Sequence, residues 1–378
     1  MPLPHYTPEH EDYGRTVRRF VDKEIAPYVD AWDEAESFPR ELYEKAAALG
    51  ILGLGYPAEY GGTPADRFFR IVQVREFCRA GSGGLMASLF SHSIGLPPIL
   101  NVGSEELKRR IAPDVLAGKK ISALAITEPS GGSDVANLKT TARRVGEKYV
   151  VRGSKTFITS GMRADYYTVA VRTGGPGQSG VSLLLIERDR PGFTRTPLKK
   201  MGWWCSDTAT LHFDDVEVPA SNLIGEENKG FRAIMLNFND ERLGLANNAA
   251  GFAQVCVDEA IAYAGQRETF GRPLLGHQVI RHKIADMSMW ANAARAQVEH
   301  LAIRLEAGEK PVAELCLAKN FCVQAVEFCA KEAVQIFGGA GYMRGTKVER
   351  IYRETKVIAI GGGAEEIMKD LAVRQMGL

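Results

Sequence analysis

The sequence carries no surplus of one charge, no long apolar run and no paired-cysteine motif, and each lack removes a class of function. Lys and Arg number 47 against 46 Asp and Glu, so nothing in the charge points to nucleic acid or an anionic membrane as the main partner. No stretch approaches the ~20 uninterrupted apolar residues of a membrane span, and no integral membrane association is expected. The opening MPLPHYTPEHEDYG lacks a basic region followed by an apolar run and is too acidic for an Arg-rich transit peptide. A cytoplasmic location is therefore expected. The six cysteines, at 78, 205, 256, 316, 322 and 329, form no C-x-x-C pair and do not alternate with histidine at metal-ligand spacing. Metal catalysis has no support in the sequence. Cys316, Cys322 and Cys329 fall in a periodic helical segment and read as small core residues kept in a reduced compartment.

What is present is 378 residues of ordinary globular composition, 45% hydrophobic, enough for one large core or for two or three layers. The first ~120 residues have helical periodicity. Val17, Phe20, Val21, Ile25, Val29 and Trp32 recur at spacings of three and four, which predicts one amphipathic helix. Ser104 stands as an N-cap before EELKRRI, with two glutamates at the positive end of the helix dipole. Near Lys120 the texture changes to short runs rich in β-branched and aromatic residues, ISALAIT, KYVVRG, KTFIT, YYTVAVRT, VSLLLIE and TATLHFDDVEV. No long helices intervene, so the strands are expected to pair antiparallel. Helical periodicity returns from about residue 228 in longer elements. The chain is thus predicted to be α+β, with an N-terminal helical domain over 1–120, a middle antiparallel β-domain over 121–228 and a C-terminal helical domain over 229–378.

Five segments carry possible chemistry, the first three with a bland reading beside it. LAITEPSGGSDVAN, 124–137, leaves a strand and enters a loop of hydroxyls and glycines. Such a loop is either an ordinary turn or a cradle where backbone N–H groups approach a flat or anionic ligand. It is not G-x-G-x-x-G opening a helix, so a Rossmann site is unsupported. In KTFITSG, 155–161, alternation puts Phe157 and Thr159 on one strand face, an aromatic plate beside a hydroxyl, unless Phe157 is simply core. Arg267 and Arg272 flank an inter-helix turn, solvated or aimed at phosphate, while QIFGGAGYMRG stops a helix with more glycine than a stop requires. Between Ala233 and Val257 the only charged residues are Asp240, Glu241 and Arg242. A helix with so little charge is buried on most sides, where a carboxylate is costly unless paired or used.

Together the motifs ALAITEPSGGSDV, KTFITSG, RETFG…HQ, QIFGGAGYMRG and RIYRETKVIAIGGGAEEIM resemble the acyl-CoA dehydrogenase family, in order and over some 250 residues. The resemblance implies a C-terminal four-helix bundle, FAD held between the β-domain and the bundle, and a homotetramer, a dimer of dimers in which a neighbour completes each site. It implies an acyl-CoA substrate and an electron-transfer flavoprotein as acceptor. By matching positions, Leu124, Thr127, Gly132 and Ser133 would contact the flavin, with Ser133 also near substrate. Phe157 would pack on the ring and Thr159 near its N5. Arg267, Phe270, His277, Gln278, Gln335, Gly338 and Gly339 resemble residues that hold the pyrophosphate and adenine of a neighbouring subunit's FAD, and Ala364 and Glu366 would lie at the cofactor's rim. Arg242 and Asn239 match CoA contacts.

Family chemistry removes the substrate α-proton with a glutamate while the β-hydrogen leaves as hydride to the flavin, giving a trans-2-enoyl-CoA. Most relatives carry that glutamate in a Y-E-G-T context, whereas this chain has Gly361-Gly362-Gly363-Ala364. The isovaleryl and long-chain types place the base just before an arginine on the buried helix, which Glu241-Arg242 matches. The resemblance therefore assigns the base to Glu241, and leaves Gly362 the backbone N–H of an oxyanion donor. An acyl-CoA oxidase or nitroalkane oxidase stays open as a second enzyme reading, and a flavin-fold nucleic-acid-associated protein as a third that the neutral charge disfavours. Small residues at 81–84, 87, 88 and 95 either leave room for a long or branched acyl chain or let helices pack closely.

Overall fold

The computed structural model describes residues 5–378, apart from the side chains of Asn237 and Asn239. The first part is helical: α1 Pro8–Glu24, α2 Val29–Glu34, α3 Glu41–Ala48, α4 Arg67–Cys78, α5 Gly83–Leu89, α6 His92–Gly95, α7 Pro97–Val102 and α8 Glu105–Leu116. The single helix expected over Val17–Trp32 is two helices, because Pro27 removes a donor and crowds the preceding turn. Ser104 caps α8 as expected, its hydroxyl oxygen accepting the Leu107 N–H at 3.2 Å.

The middle part is one sheet built from β1 Ser122–Ala125, β2 Thr141–Val145, β3 Lys148–Thr159, β4 Tyr166–Arg172, β5 Val181–Glu187, β6 Phe193–Pro197, β7 Thr208–Pro219 and β8 Leu223–Ile224. The strand order is β6-β7-β3-β2-β4-β5-β8, with β1 pairing β4. Pairing is antiparallel except along β4, where β1 runs parallel from Ser122 opposite Tyr166 and β2 meets Arg172 at one parallel position. The β2–β3 hairpin lies between β1 and β4 in sequence, and this detour supplies the crossover a parallel pair needs.

The last part contains α9 Gly230–Gln266, the two-residue strands β9 Glu268–Thr269 and β10 Arg272–Pro273, α10 Gln278–Glu306, α11 Val312–Phe337, α12 Gly339–Tyr342, α13 Lys347–Ile360 and α14 Glu365–Gln375. At 37 residues, α9 is about 55 Å long. It packs against α4, α10, α11 and α13, so its shortage of charge reflects burial on most sides. Gly251 lets α4 come close, since a Cβ there would stand 2.7 Å from Cys78 Sγ. All six cysteines are buried and unbridged. Cys322 and Cys329 face the carbonyls of Ala294 and Met287 at 3.6 and 3.5 Å and pack α11 onto α10.

One apolar core passes through all three parts, joining Val17 and Phe77 to Tyr149, Tyr167 and Leu211 and on to Ala253, Val298 and Cys329. A single carboxylate also ties them. Glu354 of α13 accepts the N–H of Gly83 at 2.7 Å and of Trp203 at 3.0 Å. Among the described residues no single helix is long and apolar enough to cross a membrane.

Candidate active site

The nearly uncharged stretch of α9 brings one carboxylate to the end of α13. Glu241 Oε2 is shut off from solvent and has no hydrogen-bond partner among the described residues. Burial pushes its carboxyl up to about 7, against the opposing pull of the Arg242 and Lys319 charges. At that value it is a stronger base than a solvated glutamate and still part-ionised at neutral pH.

Facing Glu241 is the glycine turn that follows α13. Gly362 and Gly363 both lie in the left-handed region, at φ +65° and +103°, which glycine enters without Cβ strain. A Cβ on Gly362 would stand 3.4 Å from Glu241 Oε1 and would overlap Leu245 Cδ1. The position has neither the backbone angle nor the space for a side chain. Leu245, one turn beyond Glu241 on α9, fills it. The Gly361 N–H closes α13 on Val357 O at 2.7 Å, whereas the Gly362 N–H makes no backbone hydrogen bond among the described residues. Ala364 caps α14, and Glu366 is exposed in its first turn.

The turn is held from behind by α11. Lys319, fully buried, donates to Gly363 O at 2.8 Å and Ala359 O at 3.3 Å. Its neighbour Asn320 donates to Glu365 O at 2.9 Å. Sequence reasoning did not single out Lys319. The available signal was its place among Cys316, Cys322 and Val323 on the core face of α11, where a lysine needs a reason.

A second group sits on the sheet. Thr127 follows β1 and is tied to β3 through its carbonyl, which accepts the Thr156 N–H at 2.8 Å. Buried Lys155 donates to Ile126 O at 3.0 Å and Glu128 Oε1 at 2.8 Å, and Glu128 in turn accepts the N–H groups of Lys139 and Thr140. The 124–134 loop is thereby pinned beside Phe157. Phe157 is not core: it is 69% exposed and held at φ +59° in a strand whose register shifts between Lys155 and Ile158. An exposed aromatic in a conformation that bulky residues avoid is strained, and such strain gathers at ligand sites. Thr159, two residues on, is half-buried. Gly132 and Ser133 are exposed, Leu124 half-buried. A Cβ on Gly131 would meet nothing within 4 Å, so the loop's outer side is open.

The third group lies at the far end of the bundle. Phe270 tips the β9–β10 hairpin, 97% exposed at φ +51°. His277, on which the hairpin folds back, contacts Thr269 and Arg272 and caps α10. Tyr263 of α9 stacks on Phe337 of α11 at 4.1 Å, which brings Gln335, Gly338 and Gly339 to the same end as Arg267, Phe270 and Gln278. From Glu241 to Arg267 the chain runs along α9 for about 39 Å. Within one chain, then, the first and third groups do not meet. Arg242 is buried with its guanidinium 5.8 Å over the Phe238 ring, while the Asn239 side chain lies outside the described residues.

The small residues near α5 have the packing role. A Cβ at Gly81 would meet Lys347 at 2.9 Å, at Gly83 Trp203 Nε1 at 2.5 Å, at Gly84 the Trp203 backbone at 2.8 Å and at Gly95 the Ala123 backbone at 2.9 Å. Ser88 bonds Ser206 at 2.9 Å. These glycines are filled by neighbouring side chains at Gly81 and Gly83 and by neighbouring backbone at Gly84 and Gly95.

Comparison with known proteins covers the whole site. The sequence matches the acyl-CoA dehydrogenase N-terminal domain over residues 7–119, the middle domain over 123–216 and the C-terminal domain over 228–377. It is 40% identical to an acyl-CoA dehydrogenase of Bacillus subtilis, over 97% of each chain. It is 36% identical to the mitochondrial long-chain specific acyl-CoA dehydrogenase of Rattus norvegicus, over 98% of this chain and 87% of that one. The crystal structure of a probable acyl-CoA dehydrogenase from Mycobacterium abscessus superposes with a TM-score of 0.97 at 49% identity, over 98% of this chain and 99% of that one.

Proposed function

Because the chain belongs to the acyl-CoA dehydrogenase family, whose members are FAD-dependent oxidoreductases, we propose that it dehydrogenates an acyl-CoA thioester to the trans-2-enoyl-CoA with Glu241 as the base. One observation carries the assignment. Glu241, half-buried with its Oε2 shut off from solvent and without a hydrogen-bond partner among the described residues, stands beside a Gly362 position that can bear no side chain. An α-C–H is hard to ionise unless the thioester oxygen is polarised and the base is dry. The Gly362 N–H is one donor available to that oxygen, and a bound acyl chain would desolvate Glu241 further.

The sheet fits FAD: the exposed Phe157 plate, Thr159 two residues on and the loop open at Gly131 suit a flat ring with polar edges. When bound, FAD supplies the two-electron acceptor for the β-hydrogen. Leu124, Thr127, Gly132, Ser133, Phe157 and Thr159 would hold its ring, and Ala364 and Glu366 would lie at its rim. Arg267, Phe270, His277, Gln278, Gln335, Gly338 and Gly339 would hold the pyrophosphate and adenine in a neighbouring copy, which the ~39 Å between Glu241 and Arg267 favours over one chain. Backbone at Gly338 and Gly339 can approach an anion, since a Cβ there would meet no atom within 4 Å. Ser133, Asn239 and Arg242 would contact the substrate. A homotetramer, electron transfer to an electron-transfer flavoprotein and division at 1–120, 121–228 and 229–378 complete the reading.

The test is anaerobic flavin bleaching by butyryl-, octanoyl-, palmitoyl- and isovaleryl-CoA, with the product identified. Bleaching with formation of a 2-enoyl-CoA supports the proposal. Rapid peroxide formation in air without added acceptor would instead make the enzyme an oxidase.

A further inference from the structure

Lys319 is fully buried, and no carboxylate lies at ion-pair distance from its amine among the described residues; burial brings its titration down to about 8, which still leaves it a cation at pH 7. Its bonds go to two backbone carbonyls, Gly363 O at 2.8 Å and Ala359 O at 3.3 Å, on either side of the peptide that carries the Gly362 N–H. Asn320 adds a third anchor at Glu365 O. Two successive left-handed glycines have little conformational preference of their own, so the direction of the Gly362 N–H rests on what grips the turn. Packing alone would be served by methionine or leucine without the desolvation of a charge. Capping the carbonyls of α13 accounts for a cation at its C-terminus, but a half-exposed lysine would do that as well.

We propose, resting on the base assignment above, that Lys319 is a positioning residue for proton abstraction: it aims the Gly362 N–H at the thioester oxygen and keeps Glu241 ionisable. The groups that act on Glu241 are Arg242 on its own helix and Lys319 on α11. Those that act on Lys319 are Glu241, Glu365 at the start of α14, Arg242 and Cys316. Glu241 and Lys319 therefore each favour the other's charged form, and Glu365 adds to the pull on the lysine. Lys319 gives up no proton to substrate. Its effect passes through the turn and through the field at Glu241.

The experiment uses flavin-loaded Lys319→Arg, Lys319→Gln and Lys319→Met enzymes, with gel filtration and the visible flavin spectrum confirming assembly. The acyl-CoA of the panel above that bleaches wild type fastest is used at each pH from 6 to 9. Arginine keeps the charge and glutamine keeps one donor without it. The expected result is at least a tenfold fall in the bleaching rate at pH 7 for Lys319→Met, with apparent affinity changed less than threefold. In Lys319→Gln and Lys319→Met the rising limb of the pH profile moves up, by half a unit or more, while Lys319→Arg stays near wild type. A purely structural lysine would lower the melting temperature and leave the pH midpoint in place; that result in Lys319→Gln overturns the proposal, even if Lys319→Met does not assemble. Glu241→Gln is run in parallel. If it bleaches normally the base assignment fails, whereas an inert Glu241→Gln beside unshifted Lys319 variants removes the Lys319 role alone.

Discussion

At the scale of single residues the site is a matter of which groups are kept from water. Glu241 titrates at about 7 in the folded chain against 4.5 for a free carboxyl, so the unfolded chain loses this proton first as pH rises. Stability contributed by the protonated form is intact below about 4.5, falls through the interval and is fully lost above about 7. The Glu241→Gln enzyme should therefore gain on wild type as pH rises from 5 to 8, by up to about 3 kcal/mol, in denaturant melts at the two pH values. Equal gains at both would contradict the raised pKa. Phe157 gives an opposite pairing of stability and function. Relieving its left-handed backbone with Phe157→Gly should raise stability by about 1 kcal/mol while weakening FAD retention, measured by melting and by flavin released on gel filtration. Glu241 was legible in the sequence because charge is so scarce around it. Lys319 was not, because its reason is a turn more than forty residues later.

At the scale of elements, the glycine turn after α13 and the loop after β1 look alike in sequence and differ in what surrounds them. Gly362 has a left-handed angle and Leu245 against it; Gly131 has neither. Gly362→Ala should cost about 1–3 kcal/mol and slow bleaching, while Gly131→Ala should melt within a degree or two of wild type. Comparable melting of the two variants would refute the packing account. Periodicity found the long helices and the strands, since burial on one face writes itself into composition. It missed the break at Pro27, where a missing donor outweighed an unbroken apolar stripe, and the parallel β1–β4 pair, which depends on sequence-distant pairing. It could not decide whether the glycines at 81–84 packed or lined a pocket, because that depends on Trp203 arriving from another part of the chain.

At the scale of the whole molecule, the order helices, strands, helices was visible as changes of texture, whereas the continuity of apolar packing through all three parts was not. The separation of the candidate site into two ends of α9 was already implied by the resemblance, which gave Arg267 and its neighbours to another subunit's FAD, and the unbroken length of α9 agrees with that reading. If one copy supplies the ring cradle and its neighbour the pyrophosphate contacts, Phe157→Ala and Arg267→Ala enzymes should each bind FAD poorly. Mixed and reassembled, they should regain tight binding at up to half of the sites in mixed pairs; no recovery would place both contacts in one chain. The central claim is that Glu241, and no residue of the glycine turn, takes the α-proton. Its most direct test is stopped-flow bleaching of flavin-loaded Glu241→Gln by the acyl-CoA that reduces wild type fastest. The account predicts a yellow, assembled enzyme whose flavin is reduced at least a thousandfold more slowly, and reduction within tenfold of wild type would contradict it.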